Sequence, residues 1–519
     1  MPATLPRRAA PEPVREARDP PDPPVLSRPS TLPELQAHYG ERYRWLLLLA
    51  VMVGAMASIM SSTIITVAVP DMSRHFAIGQ ERAQWVSSGF MAAMTVAMLA
   101  TPWLLGRFGY RRTYGGSMLL LLAGGVVGGI AGSYPLVLAC RIAEGIAAGV
   151  VQPIPAIIVM RAFQPHEQGR AMSVFGLGAV LAPALGPTVG GVLVDLFGWR
   201  SIFFMVVPFC LASLWMSSRF VPSTPPGGGA TGGSDKPLDA LSLLLAAAGT
   251  LGLLNGLVQL HAGRHGLSGA LLLGAVVLLA GFILRQRRLA AGRDIGARVA
   301  PLMDLSVYAD RRFAMGSGVA FIYGMALFGS TYLLPIYMQL GLQLSATFVG
   351  TLLLPASLAL ALTIATVGRL AGRWSTHGLV STGLVLLALS FLLVFFVQVH
   401  TSLWLIVSLV VLGRMGLGCI LPSLNVGAMQ GLSRALIPQG ASAINYARTL
   451  GGAVGVGLCG IVLEWRLAVH GDVLSVPGSG PARLAAFNET FLMLSVLCGV
   501  ALLVARGLRG PVPPRLKHG

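Results

Sequence analysis

Charge is scarce in this chain: only 11% of its 519 residues are Asp, Glu, Lys or Arg, against about 25% in an average soluble domain. Acids are scarcer than bases, 19 against 37, and the only lysines are Lys236 and Lys517. With 55% hydrophobic residues and a mean hydropathy of +0.75, a soluble globular protein is excluded. The net charge of +18 would suit nucleic acid if it were gathered in one patch. It lies instead in short connections and tails, so no nucleic-acid partner is expected. The five cysteines, Cys140, Cys210, Cys419, Cys459 and Cys498, are far apart in apolar stretches. They read as packed hydrophobes and offer neither a disulfide framework nor metal-ligand spacing. No phosphate-binding lysine loop, HExxH pair or Ser/His/Asp set is present. The expectation is therefore a protein that is not an enzyme and that needs no cofactor, no metal and no ATP.

What is abundant is apolar sequence in runs near twenty residues, each long enough to cross roughly 30 Å of hydrocarbon. Candidate spans are 45–69, 85–105, 114–133, 136–158, 171–194 and 201–217, then 240–260 and 267–284, then 313–337, 346–367, 378–397, 403–424, 440–464 and 487–506. This predicts an all-α membrane protein with fourteen crossings arranged six, two, six, their lipid partner the bilayer itself. The units expected are a disordered cytoplasmic tail (1–43), a six-helix bundle (44–217), a cytoplasmic linker (218–239) and a two-helix insertion (240–284). A cytoplasmic basic loop (285–312), a second six-helix bundle (313–506) and a cytoplasmic tail (507–519) follow. Residues 1–43 are Pro- and Arg-rich and lack the apolar core of a signal peptide.

Charge placement orients the bundle. With both termini inside, cytoplasmic segments hold 28 Lys/Arg and the opposite segments six: Arg74, Arg82, Arg200, Arg264, Arg466 and Arg483. The asymmetry favours both termini in the cytoplasm. All eight tryptophans, Trp199 among them, fall near span ends, where an interfacial belt is expected.

The two halves echo one another. "GRFGYRR" (106–112) and "GRLAGR" (368–373) each follow the second span of a half, and Arg141 and Arg414 each open a Gly-rich stretch in the fourth. Repeated halves are how many carriers build a central site that opens alternately to each side.

Intramembrane charge is the sharpest chemical signal, because each such residue costs about 2.5–3.5 kcal/mol to insert. Of the acids, only Glu144 lies well inside a span, with Arg141 three residues before it on the same helix face. Gly145, Ala148, Gln152 and Pro155 extend that face, which is expected to front a cavity. Burial favours the neutral acid and Arg141 favours the carboxylate, so the balance shifts with access to water. That makes Glu144, with Arg141, the candidate proton carrier; the alternative is a static pair that neutralises two buried charges. Ser61, Ser62, Thr66, Gln152, Arg414, Asn425, Asn445 and Arg448 are candidate cavity residues. Arg414 and Arg448 would bind an anionic substrate group or brace helices. In the fifth span Gly178, Ala182, Gly186 and Gly190 recur every four residues beside Pro183, Pro187 and Gly191. The strip predicts a close helix–helix seam. Gly106, Arg107, Gly109, Arg111 and Arg112 form a basic turn suited to locking one conformation.

Taken together, these segments resemble the fourteen-helix drug:proton antiporter branch of the major facilitator superfamily, the EmrB/QacA type. The likeness rests on "SSTIITVAVP" (61–70), "WLLGRFGYRR" (103–112), "RIAEGIAAG" (141–149), "APALGPTVGG" (182–191) and "GASAINYARTLGGAVG" (440–455). It covers residues 44–506 and implies two pseudo-symmetric six-helix bundles around a central cavity. It also implies proton-coupled efflux of drugs or small amphipathic compounds across a bacterial inner membrane. A periplasmic adaptor and an outer-membrane channel are possible partners in relatives of this type. Three positions depart from the pattern: Ser61 stands where an acid is frequent, Gly106 replaces the acid usual in the loop between helices 2 and 3, and Glu144 stands where glutamine is usual. Export of one specific metabolite, siderophore or lipid precursor is the nearest alternative, and a transport-inactive sensor or assembly protein the alternative of another class.

Overall fold

The computed structural model describes residues 32–223, 237–261, 264–290, 299, 301–371, 373–473 and 480–509. The core of the linker, most of the basic loop and both chain ends lie outside the described residues. Among the described residues, fifteen α-helices carry the fold.

A short helix α1 (Leu32–Tyr39) precedes α2 (Tyr43–His75). The tail expected to be disordered to residue 43 is thus helical from 32 onward. The reason is packing, since Leu35 is fully buried and Tyr39 meets the Phe220 ring edge-on. The first half continues with α3 (Gln80–Ile130), α4 (Tyr134–Val151), α5 (Ile154–Ala162), α6 (Pro165–Phe197) and α7 (Ser201–Phe220). The insertion is α8 (Ala240–His261) and α9 (His265–Ala290). The second half is α10 (Arg311–Ile336), α11 (Ala346–Leu370), α12 (Thr376–Val394), α13 (Leu403–Met429), α14 (Ile437–Val469) and α15 (Pro481–Ala505).

Twelve helical stretches among the described residues are long and apolar enough to cross a membrane, with α4 and α5 counted as one. Helix α3 supplies two crossings. Its 51 residues would run about 77 Å if straight, yet Phe90 lies against Gly145 and Gly124 lies against Glu144, one turn of α4. It therefore folds back, at Gly109, whose φ of 76° and ψ of 173° are helical for no residue. Thr113 closes the bend with a 2.9 Å hydrogen bond to the Leu104 carbonyl. Helix α6, 33 residues along α2, completes fourteen. Each expected span falls on one of these crossings, and several helices run past the hydrocarbon by a turn or more.

Packing repeats in both halves. The first helix lies along the fifth (α2 on α6, α10 on α14), the second and third against the fourth, and the sixth against the third. Between halves, the fifth helix of each meets the second of the other: α6 meets α11, and α14 meets the start of α3. The insertion pair leans on α14 and α3 through α8.

The glycine strip of α6 is a seam, as the four-residue spacing predicts. A side chain at Gly186 would sit 2.6 Å from Thr63 Oγ1, and one at Gly190 would strike Ile64, both on α2. Gly191 faces open space, and the side chains of Pro183 and Pro187 lie outside those described. The second half has a matching seam that its sequence did not announce. Gly324 meets the Arg448 carbonyl, and Gly451 and Gly455 meet the backbone of Phe321 and Met325.

The end of the bundle that carries the termini is shut. Ile157 and Phe163 of the first half share one apolar cluster with Phe313, Val426, Met429 and Ala441 of the second. Arg161 donates to the Arg434 carbonyl at 2.6 and 3.2 Å and to Tyr110 Oη at 3.2 Å. At the opposite end, the cluster of Ile64, Ala68, Met72, Trp199 and Phe203 belongs to the first half alone. Trp199, expected in an interfacial belt, is in that core, whereas Trp215, Trp404 and Trp465 are exposed.

Candidate functional site

Helix α4 begins at a proline-bearing first turn and ends where Pro153 and Pro155 remove amide donors. Between them its inward face carries Arg141 and Glu144, 2% and 1% exposed. Arg141 Nη1 donates to Glu144 Oε2 and, at 2.7 Å, to Ser61 Oγ. Nη2 donates to the Ser61 carbonyl at 3.0 Å and Nε to the Val86 carbonyl at 3.5 Å. The guanidinium also lies 4.3 Å from the centre of the Phe90 ring, a cation–π contact. Ser61 Oγ in turn donates to Glu144 Oε2 at 3.1 Å. Glu144 Oε1 is buried and has no hydrogen-bond partner among the described residues. Gly124 makes the space, since a Cβ there would come 2.5 Å from Glu144 Cγ.

The pair does not front a cavity. It is enclosed by Ser61, Ile64 and Ile65 of α2 and Ile202, Phe203 and Val206 of α7, and the gap between them admits no water. The stripe expected to continue through Gln152 stops there, because the helix breaks and Gln152 is half-buried at the junction. Helical periodicity located the charged face but not its neighbours.

A cavity of about 330 Å³ lies between the halves. Ser87, Met91 and Thr95 of α3 form one wall, Phe328 and Tyr332 of α10 another, Thr449 and Gly452 of α14 a third, and Leu254 and Leu257 of α8 the last. Among the described residues, no charged side chain lines it. None of the candidate cavity residues Ser61, Ser62, Thr66, Gln152, Arg414, Asn425, Asn445 and Arg448 is in its wall. Ser62 and Thr66 bond back to their own helix, and Asn425 is buried on α13. Asn445 donates to the Ala441 carbonyl at 2.8 Å and accepts from Arg448 Nη2 at 2.6 Å. Sequence reading missed the wall residues because hydroxyls and methionines at helical spacing look like ordinary core. The contribution of α8 depends on where an inserted hairpin docks.

Cavity and ion pair are separated by one stretch of α3. Val86 and Phe90 hold Arg141 on one face, while Ser87 and Met91 line the cavity on the other. A shift or rotation of this segment reaches both sites at once.

The basic turn is clamped to the end of α7. Arg111 Nε donates to the Val221 carbonyl at 2.8 Å, and a side chain at Gly109 would meet the Ser223 carbonyl at 2.8 Å. Gly106 is half-buried, and Arg107 and Arg112 reach the surface. Among the described residues no cluster of His, Cys, Asp and Glu has the make-up of a metal site.

Comparison with known proteins agrees with the geometry. A Bacillus subtilis protein named uncharacterized MFS-type transporter YcnB is 29% identical, over 89% of this chain and 94% of its own. The multidrug resistance protein B homolog of Mycobacterium tuberculosis (strain ATCC 25618 / H37Rv) is 27% identical, over 91% and 87%. The crystal structure of the human organic anion transporter MFSD10 superposes with a TM-score of 0.63 at 16% identity, covering 89% of this chain and 99% of that one; at that identity the likeness is one of fold. The Major Facilitator Superfamily profile matches residues 51–456, from the first crossing to the α14 seam. The chain belongs to the Major Facilitator Superfamily and is a multi-pass membrane transporter of small molecules, not an enzyme.

Proposed function

We propose that this protein exports drugs or other small amphipathic compounds from the cytoplasm in exchange for protons, by alternating access across a bacterial inner membrane. One observation carries the reading: the α3 segment 86–95 has the Arg141–Glu144 pair on one face and the cavity on the other. Protonation at Glu144 Oε1 would weaken its hold on Arg141, release the guanidinium's grip on Val86 and Phe90, and so move the cavity wall. With both termini in the cytoplasm, the shared core around Phe163 and Met429 and the Arg161 latch close the inner side, giving an outward-facing state. The multidrug-resistance names of relatives support drug efflux over other solutes.

The test is flux in proteoliposomes under an imposed pH gradient. Wild-type protein should accumulate a lipophilic dye only while the gradient stands, and Glu144→Gln should insert normally but transport no faster than empty vesicles. Gradient-driven flux in Glu144→Gln at the wild-type rate would refute the assignment. Orientation is checked by thiol labelling of intact cells: the exposed His265→Cys should react and the exposed Arg112→Cys should not, against a background of five buried native cysteines. A periplasmic adaptor or outer-membrane channel would appear as copurification after crosslinking.

A further inference from the structure

The first half balances its intramembrane arginine; the second does not. Three residues after Arg141 stands Glu144, whereas three residues after Arg414 stands Leu417. Arg414 makes no hydrogen bond or ion pair with any described group. Among the described residues, the side-chain hydrogen bond of Arg448 goes to the neutral Asn445. Both are partly exposed. Tyr323 lies between their helices: its hydroxyl reaches the Leu417 carbonyl on α13 at 3.5 Å, and the next residue, Gly324, packs on the Arg448 carbonyl of α14. Arg414 lines a narrow gap of its own with Ser330, Ser390 and Phe491. On α14 the acid closest in sequence is Glu464, sixteen residues on and about 24 Å along the helix. Two cations kept in a membrane interior without a carboxylate call for a negative partner from outside the chain. Their position says where it sits, because Arg448 precedes the cavity residue Gly452 by one turn on the same face of α14.

We infer that the transported compound is an organic anion, its apolar body in the cavity against Met91, Phe328 and Leu257 and its carboxylate, sulfonate or phosphate held by Arg448 at the cavity's edge, with Arg414 adding positive charge from the separate gap it lines. This deepens the transporter reading and rests on it for the cavity. Arginine suits the task because its planar fork meets two acceptor oxygens at once.

Binding measured without any gradient separates this inference from proton coupling. The probes are a dansylated long-chain fatty acid, its uncharged methyl ester and a trimethylammonium counterpart of equal length. They are titrated onto the full-length protein in zwitterionic-lipid nanodiscs, with empty nanodiscs subtracted. The acid should bind about tenfold or more tightly than the trimethylammonium probe. Arg448→Gln should weaken the acid by about tenfold and Arg414→Gln by less, both leaving the ester unchanged, and Arg448→Lys should recover part of the loss. Unchanged ester binding shows that the variants are folded. Equal or tighter binding of the cation would overturn the proposal, as would acid affinity indifferent to both substitutions. Displacement of the acid by phosphatidylglycerol at one lipid per protein would also overturn it, by assigning the arginines to a lipid headgroup.

Discussion

Removing the Glu144 charge leaves Arg141 buried with Ser61, two carbonyls and the Phe90 ring, and no counter-charge. Breaking a buried pair from one side destabilises by about 3–5 kcal/mol, whereas replacing both partners with uncharged groups is often close to neutral. Glu144→Gln should therefore lower stability by about 3 kcal/mol, the low end, since the amide oxygen still accepts from Arg141. Arg141→Met combined with Glu144→Gln should return to within about 1 kcal/mol of wild type. Unfolding in mixed micelles titrated with SDS reads the difference, and pH-gradient flux is measured on the same preparations. A proton carrier and a brace part company in the double variant. If Glu144 carries the proton, stability returns and flux does not; if the pair is only a brace, both return. Recovery of flux in the double variant would refute the mechanism, and a single variant as stable as wild type would refute the tight pairing.

Three other expectations follow from contacts on the closed end, the seam and the far loops. Gly186→Leu should abolish transport, because even its Cβ would sit 2.6 Å from Thr63 Oγ1; flux near wild type would mean that α2 and α6 are not this close in the working protein. Arg161→Ala removes the bonds to Arg434 and Tyr110, so a thiol-reactive probe at Thr376→Cys, beside Gly427 at the shut end, should label faster, and an unchanged rate would refute the latch. Outside the membrane, the Arg483 hydrogen bond holds the Asp472 carboxyl below its ordinary value. A lowered carboxylate contributes stability that is complete above about pH 4 and is lost as pH falls through the depressed value. Proteolysis of the loop after α14 should accordingly speed up near pH 3, and Asp472→Asn should be fast at both pH values.

Much of the fold was legible because a bilayer imposes length and polarity on each crossing separately. The runs at 45–69 and 240–260 could be delimited without knowing what touched them, and the α6 glycine strip announced a seam by its spacing alone. Arg141 and Glu144 stood out because charge in such a run is conspicuous wherever it points. The α10–α14 seam did not stand out, since its glycines are split between two helices and only Gly451 and Gly455 on α14 share the four-residue spacing.

The sequence by itself determined the crossings, the repeat of the halves, a turn within 106–112 and the one acid well inside a span. Each of these follows from local chemistry, an apolar run or a residue that only one backbone geometry suits. Tertiary structure decided the rest: that Phe90 and Gly124 enclose the acid, that α8 walls the cavity, and that Tyr323 reaches the α13 backbone near Arg414. Those depend on which helix faces come together across hundreds of residues, and an apolar face in a membrane carries little mark of its neighbour, because lipid and a packed helix satisfy it almost equally.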